Sequence, residues 1–130
     1  MGPASPGAVV LDAGALVAFE RNDRRVRRLV ELAADHGRRL HVPSGVIGQV
    51  WSDGARQTRL ARLVKSGLLD VRALDLDEAR AAGVACGLSR TADVIDASVA
   101  ILARRHGAVV VTSDPDDIRR LDSALTLVTC

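Results

Sequence analysis

The sequence predicts an α/β fold: one domain with a central, mainly parallel sheet of about four to five strands and helices on both faces. Three observations carry this. Short β-branched apolar runs alternate with amphipathic stretches of ten or more residues, the pattern of repeated strand–helix–strand units. Ala8-Val9-Val10-Leu11 and Ala108-Val109-Val110-Val111 are apolar at successive positions, as strands covered on both faces must be. A chain of 130 residues, 48% hydrophobic and 26% charged, is one domain with a proper core.

The elements follow in order. Residues 1–7, Met-Gly-Pro-Ala-Ser-Pro-Gly, read as a flexible leader without the charged start and apolar run of a signal peptide, leaving 8–130 as the domain. The first strand ends at Asp12, placed to cap a helix through Phe19. An arginine-rich helix over 23–35 turns Val26, Leu29, Val30 and Ala33 to the core, and Gly37 stops it. Leu40-His41-Val42 is a second strand closed by Pro43. Ser44 is placed to cap a helix over 45–53, and another follows over 56–65 until Gly67. Leu69 to Leu74 alternates like an edge strand. Asp75 opens an alanine-rich helix with acids in its first turn, and the Gly83 to Gly87 region breaks it. The next helix runs to about His106 and stops at Gly107. After the strand at 108–112, Asp114 at the cap and Pro115 at the first position start another helix. Leu125 to Thr129 forms a last short strand.

Composition excludes several functions. Aromatics are 2%, with only Phe19 and Trp51, so base stacking on aromatic platforms is not available. Net charge is +2, and Lys65 is the only lysine. Positive charge is thus arginine, in pairs such as Arg24-Arg25, Arg27-Arg28, Arg38-Arg39 and Arg104-Arg105, suited to phosphate or to solvated helix faces. Cys86 and Cys130 form no CxxC pair, which argues against a thiolate metal site or disulfide framework and fits a reducing cytoplasm. No apolar stretch approaches a membrane span, so no membrane partner is expected. His36, His41 and His106 are scattered near helix ends and strands and read as surface or satisfied histidines.

The acids carry the functional signal. Asp96 falls on the apolar side of its helix, near Ala92, Val99, Ala100 and Ala103, with Asp93 one turn earlier. Two carboxylates so placed repel each other and resist burial, so a cation, a metal or a proton must compensate. Capping alone would place Asp93 at the N-cap and Asp96 third in the helix. Capping also accounts for Asp12 and Asp114 singly. It does not require acids at the C-terminal ends of two strands to meet a pair on an apolar helix face. Ligands of parallel sheets bind beyond those strand ends. Asp12, Asp93, Asp96, Asp114 and Asp117 are hard oxygen donors suited to Mg2+ or Mn2+, ions that activate water for in-line displacement at phosphorus. Thr112 and Ser113 are auxiliary candidates, able to bond a carboxylate or a phosphate or merely to form a turn. No P-loop, GxGxxG or nucleophile elbow occurs.

These residues resemble a known family. Val9-Val10-Leu11-Asp12-Ala13-Gly14-Ala15-Leu16, Asp93-Val94-Ile95-Asp96-Ala97 and Val111-Thr112-Ser113-Asp114-Pro115-Asp116-Asp117-Ile118 look like the three acidic motifs of PIN domains. Over residues 8–129 the chain is similar to VapC-type toxins of bacterial toxin–antitoxin pairs. The resemblance implies a Mg2+- or Mn2+-dependent endoribonuclease that cuts structured RNA such as tRNA or rRNA. It also implies a homodimer, inhibited by a VapB-type antitoxin that covers the acidic groove. By position Asp12, Asp96, Asp114 and Asp117 would be the catalytic, metal-site acids, with Asp93 an additional one. One position departs from the family pattern: Val42-Pro43-Ser44-Gly45-Val46-Ile47-Gly48-Gln49-Val50 offers Gln49 where a second acid usually stands. An amide brings no charge and cannot act as a base. The alternative reading is therefore a catalytically weakened PIN-like module that binds RNA or antitoxin.

Overall fold

The computed structural model describes residues 7–130, so all of the expected leader except Gly7 lies outside the described residues. The elements are β1 (Val9–Leu11), α1 (Ala13–Glu20), α2 (Arg24–Asp35), β2 (Leu40–Pro43), α3 (Ser44–Val50), α4 (Thr58–Lys65), β3 (Leu69–Arg72), α5 (Leu76–Ser89), α6 (Val94–His106), β4 (Val109–Thr112), α7 (Pro115–Leu121) and β5 (Leu127–Thr129). The five strands form one all-parallel sheet in the order β3-β2-β1-β4-β5.

Val10, Leu11, Val110 and Val111 are all at most 1% exposed. Successive strand residues point to opposite faces, so burial of both in each pair means that both faces of the sheet are covered. β1 is central. The chain lays β2 and β3 to one side of it, then crosses back to lay β4 and β5 on the other. That reversal puts the switch point of the sheet, where ligands of such folds bind, at the C-terminal ends of β1 and β4. The ladder carries one residue past β1, where the Asp12 N–H donates to Val111 O at 3.2 Å. Asp12 is thereby fixed beside the end of β4.

Several local expectations give way to tertiary packing. The expected break at Gly83–Gly87 does not occur, for α5 is continuous from Leu76 to Ser89. Buried Ala82 and Cys86 pack on Ala97 of α6, and that contact outweighs about 1 kcal/mol of helix propensity lost at each glycine. The break falls at Arg90, a non-glycine in the left-handed region with φ +55°. Ser44 does not cap α3; Pro43 holds the cap position without a side-chain bond. α3 ends at Val50 rather than at residue 53, and α4 begins at Thr58 rather than at 56. Between them the Gln57 side chain accepts from the N–H groups of Ser52 (2.9 Å) and Asp53 (3.0 Å) and donates to Val50 O (2.7 Å). Glu20 of α1 then accepts the Leu60 N–H at 2.7 Å, supplying from a distant element the acceptor that α4 lacks locally. Ala92 lies before α6 and is exposed, so it is not part of the surface around Asp96.

His36 and His106 are exposed, as expected, but His41 is not. His41 is 8% exposed, and its ring stacks on His106 with centroids 4.2 Å apart. Its Nδ1 is 3.1 Å from Asp70 Oδ2 but makes no well-directed hydrogen bond. Burial and the neighbouring His106 hold its pKa below the ordinary value. Among the described residues no helix is long and apolar enough to cross a membrane.

Candidate functional site

Asp12 forms the floor of the site. It is 6% exposed, caps α1 with Oδ1 accepting the Ala15 N–H at 3.0 Å, and is carried by the central strand. Burial raises its carboxyl pKa, and Asp114 adds repulsion, while the Thr112 hydroxyl and the Ala15 and Gly14 N–H groups favour the ionised form. Thr112 is wholly buried at the end of β4, and its Oγ1 also accepts the Asp114 N–H at 2.9 Å. One hydroxyl thus ties the β1 acid to the β4–α7 turn.

Asp96 forms the wall. It is the third residue of α6, and its N–H donates to Oδ1 of the cap residue Asp93 at 2.9 Å. The capping arrangement therefore exists, and the charge conflict exists beside it. Burial, then Asp93, Asp117 and Asp12, push the Asp96 carboxyl up to about 6. Those neighbours lie just after β1, at the cap of α6 and on α7, so the structure brings Asp12, Asp93 and Asp117 within electrostatic range of Asp96. Asp93, Asp114 and Asp117 are exposed around the floor. Asp114 sits at the cap position of α7 but makes no capping bond, leaving its carboxyl free for other partners. Ser113 is exposed between Thr112 and Asp114. Gln49 is exposed on α3.

The groups acting most strongly on Asp12 and Asp96 include other carboxylates and no arginine or lysine. An acidic cluster without a protein cation, built only of oxygen donors, has the chemistry of a Mg2+ or Mn2+ site. Among the described residues no three His, Cys, Asp or Glu side chains yet converge closely enough to grip one ion. The donor set therefore fits a hard cation through charge and ligand type, with side-chain adjustment on binding.

A family model for the PIN domain matches residues 9–124. The chain belongs to the PIN domain family. No curated protein matches the sequence. The fold of this PIN domain is similar to VapBC2 from Rickettsia felis bound to a promoter DNA fragment, at TM-score 0.69 and 16% identity, covering 94% of this chain and 98% of that one. It is likewise similar to DNA-bound VapBC from Salmonella typhimurium, at TM-score 0.65 and 19% identity over 95% and 98% of the two chains. A third is VapC20 from Mycobacterium tuberculosis, a sarcin–ricin loop cleaving toxin, at TM-score 0.59 and 17% identity over 79% and 87%.

Motif spacing alone could not reveal two features of this PIN domain. The first is Thr112 as the link between Asp12 and Asp114, since it depends on β1 and β4 being neighbours. A Thr two residues before an Asp at the end of a strand is the signal that points to it. The second is the partnership of His41 with His106, set by β2 passing the end of α6.

Proposed function

We propose that this PIN domain, residues 8–130, is the toxin of a type II toxin–antitoxin pair, an endoribonuclease dependent on Mg2+ or Mn2+. Its substrate is a structured RNA, tRNA or rRNA, and a VapB-type antitoxin restrains it in the cytoplasm. The observation that carries the reading is that Asp96 is acted on by burial and by the charges of Asp93, Asp117 and Asp12, acids from separate parts of the chain, with no arginine or lysine among its strongest influences. Asp12, Asp96, Asp114 and Asp117 would hold the ion, with Asp93 adding charge. A bound divalent ion supplies Lewis-acid polarisation of the phosphate and lowers the pKa of water. The chain itself supplies the buried orientation of Asp12 through Ala15 and Thr112 and the fixed placement of Asp96 on α6. Incubating total RNA with purified protein and Mg2+ or Mn2+, beside Asp96→Asn, tests this. Metal-dependent cleavage lost in the variant supports it. RNA or antitoxin binding with no cleavage by the native protein favours the weakened module, the reading that uncharged Gln49 supports.

Asp93 supplies charge that Gln49 does not. Asp93→Asn keeps a cap-competent side chain, so stability should change little. Mn2+ affinity should fall several-fold, read by calorimetry, and RNA cleavage with it. Unchanged affinity and cleavage would remove Asp93 from the site.

The exposed face of α5 supports a homodimer. Val84 is 64% and Leu88 82% exposed there, with Ala81, Gly83 and Gly87 also exposed on the helix and small enough for close helix approach. Leu88→Glu is expected to shift the protein to monomer in light scattering while keeping the native circular-dichroism spectrum, since Leu88 is exposed within the monomer.

A further inference from the structure

At the N-terminal edge of the sheet, opposite the acids, lies a concavity of about 510 Å3 lined by His36, Gly37, Arg38, Arg39 and His41, with Gly7 and Ala8. An adjoining one of about 290 Å3 shares Arg38 and adds Arg25 and Arg28. No Asp or Glu lines either. The strands hold this edge about 10 Å of backbone from the Asp12 rim.

The basic residues exceed what local structure needs. α2 ends here, and its carbonyl dipole favours a cation, but His36 already meets it, with Nδ1 2.8 Å from Leu32 O. Arg28 makes one long, exposed contact with Glu31 at 3.7 Å, and Arg25, Arg38 and Arg39 make no ion pair among the described residues. The His41 ring forms part of the wall, with its buried Nδ1 beside the Asp70 carboxylate at 3.1 Å rather than open to the concavity. Arginine side chains without close ion-pair partners, on concave walls that no Asp or Glu lines, fit one class of ligand. That class is a compact oxyanion of high charge, whose oxygens accept bidentate arginine bonds.

We propose that this concavity is a phosphoryl-binding site, separate from the acidic rim, that takes the phosphate of a free nucleotide or of a nucleic-acid backbone through Arg38 and Arg39. The site stands whether or not the acids cleave RNA.

The test is run in EDTA, so that the acidic rim holds no cation, with 15N-labelled protein titrated with inorganic pyrophosphate and, separately, a 2′-O-methyl RNA octamer. The expected result is movement of the Gly37 and His41 amide signals. Arg38→Ala/Arg39→Ala should weaken binding at least tenfold, while the charge-matched Arg62→Ala/Lys65→Ala on α4 changes it less than twofold. Thermal melting checks that both fold; Arg39→Gln alone replaces the double variant if it does not. Binding of pyrophosphate alone identifies a free phosphate ligand. Tighter octamer binding, with the salt slope reduced by about 2 in the double variant, identifies a backbone. No movement at Gly37 and His41 with either probe, or equal losses in the two double variants, would overturn the site.

Discussion

Asp96→Asn is expected to abolish metal-dependent RNA cleavage and, in the absence of metal, to stabilise the fold. The two effects share a cause. In the folded protein burial and the acids Asp93, Asp117 and Asp12 push the Asp96 carboxyl up to about 6, against 3.8 for an unperturbed group. Between those values the folded state keeps a proton that the unfolded state has released. Metal-free stability therefore falls as pH rises from about 4 to about 6 and stays lower above that. For a half-buried group screened by solvent, the penalty at neutral pH is about 1 kcal/mol. Asparagine carries no charge and escapes it. His41 works in the opposite sense: its lowered pKa gives stability that is present above about pH 6.5 and lost as pH falls below it. The difference between the native and Asp96→Asn melting profiles isolates the aspartate. Mg2+ or Mn2+ should raise the native melting temperature more at pH 7.5 than at pH 5, and much less in the variant. Cleavage should fall at least about 100-fold, because a metal-site carboxylate matters no less than the outer groups that orient one. Parallel melting profiles, or cleavage equal to the native protein's, would remove Asp96 from the centre of the site.

Gly14→Ala is expected to cost about 2 to 3 kcal/mol, a large loss for one methyl group. Gly14 is the second residue of α1, two after Asp12, and a Cβ there would meet Ser113, one residue before Asp114. It would lie 2.6 Å from the Ser113 Cβ and 3.0 Å from its backbone nitrogen. The serine hydroxyl could rotate away, but those two atoms move only if the β4–α7 turn moves. The turn carries Asp114, so the substitution should also separate the acids and reduce metal affinity in the protein that still folds. Gly48→Ala on α3, where a Cβ meets nothing within 4 Å, is the matched control. It should be neutral or stabilising by about 0.5 to 1 kcal/mol. Urea melts of both variants decide it; equal midpoints would show that the β4–α7 turn yields freely.

The same contrast runs through what could be read from residues in a row. The buried strands were legible because short runs of successive apolar residues have few uses other than a strand covered on both faces. Asp12, Asp93 and Asp114 were legible as cap-position residues because helix starts leave N–H groups that short polar side chains answer within three residues. Asp93 and Asp12 do answer them. Asp114 holds the cap position of α7 without such a bond, while its own N–H donates to Thr112. Helix ends at Gly37 and Gly107 were equally local, both in the left-handed region with φ near +60°. The false break at Gly83–Gly87 shows the limit: propensity argued for a stop, and burial of Ala82 and Cys86 against α6 decided otherwise.

The sequence by itself determined the alternation of strands and helices, and which side chains could serve as hard ligands, since these depend on contacts a few residues apart. Only the tertiary structure decided that β1 lies between β2 and β4. That placement sets Asp12 against Thr112 and Asp96 against Asp117, and gathers Arg38, Arg39 and His41 at the other end of the sheet. Charges separated by tens of residues perturb one another only once packing of the apolar faces has fixed the distances between them.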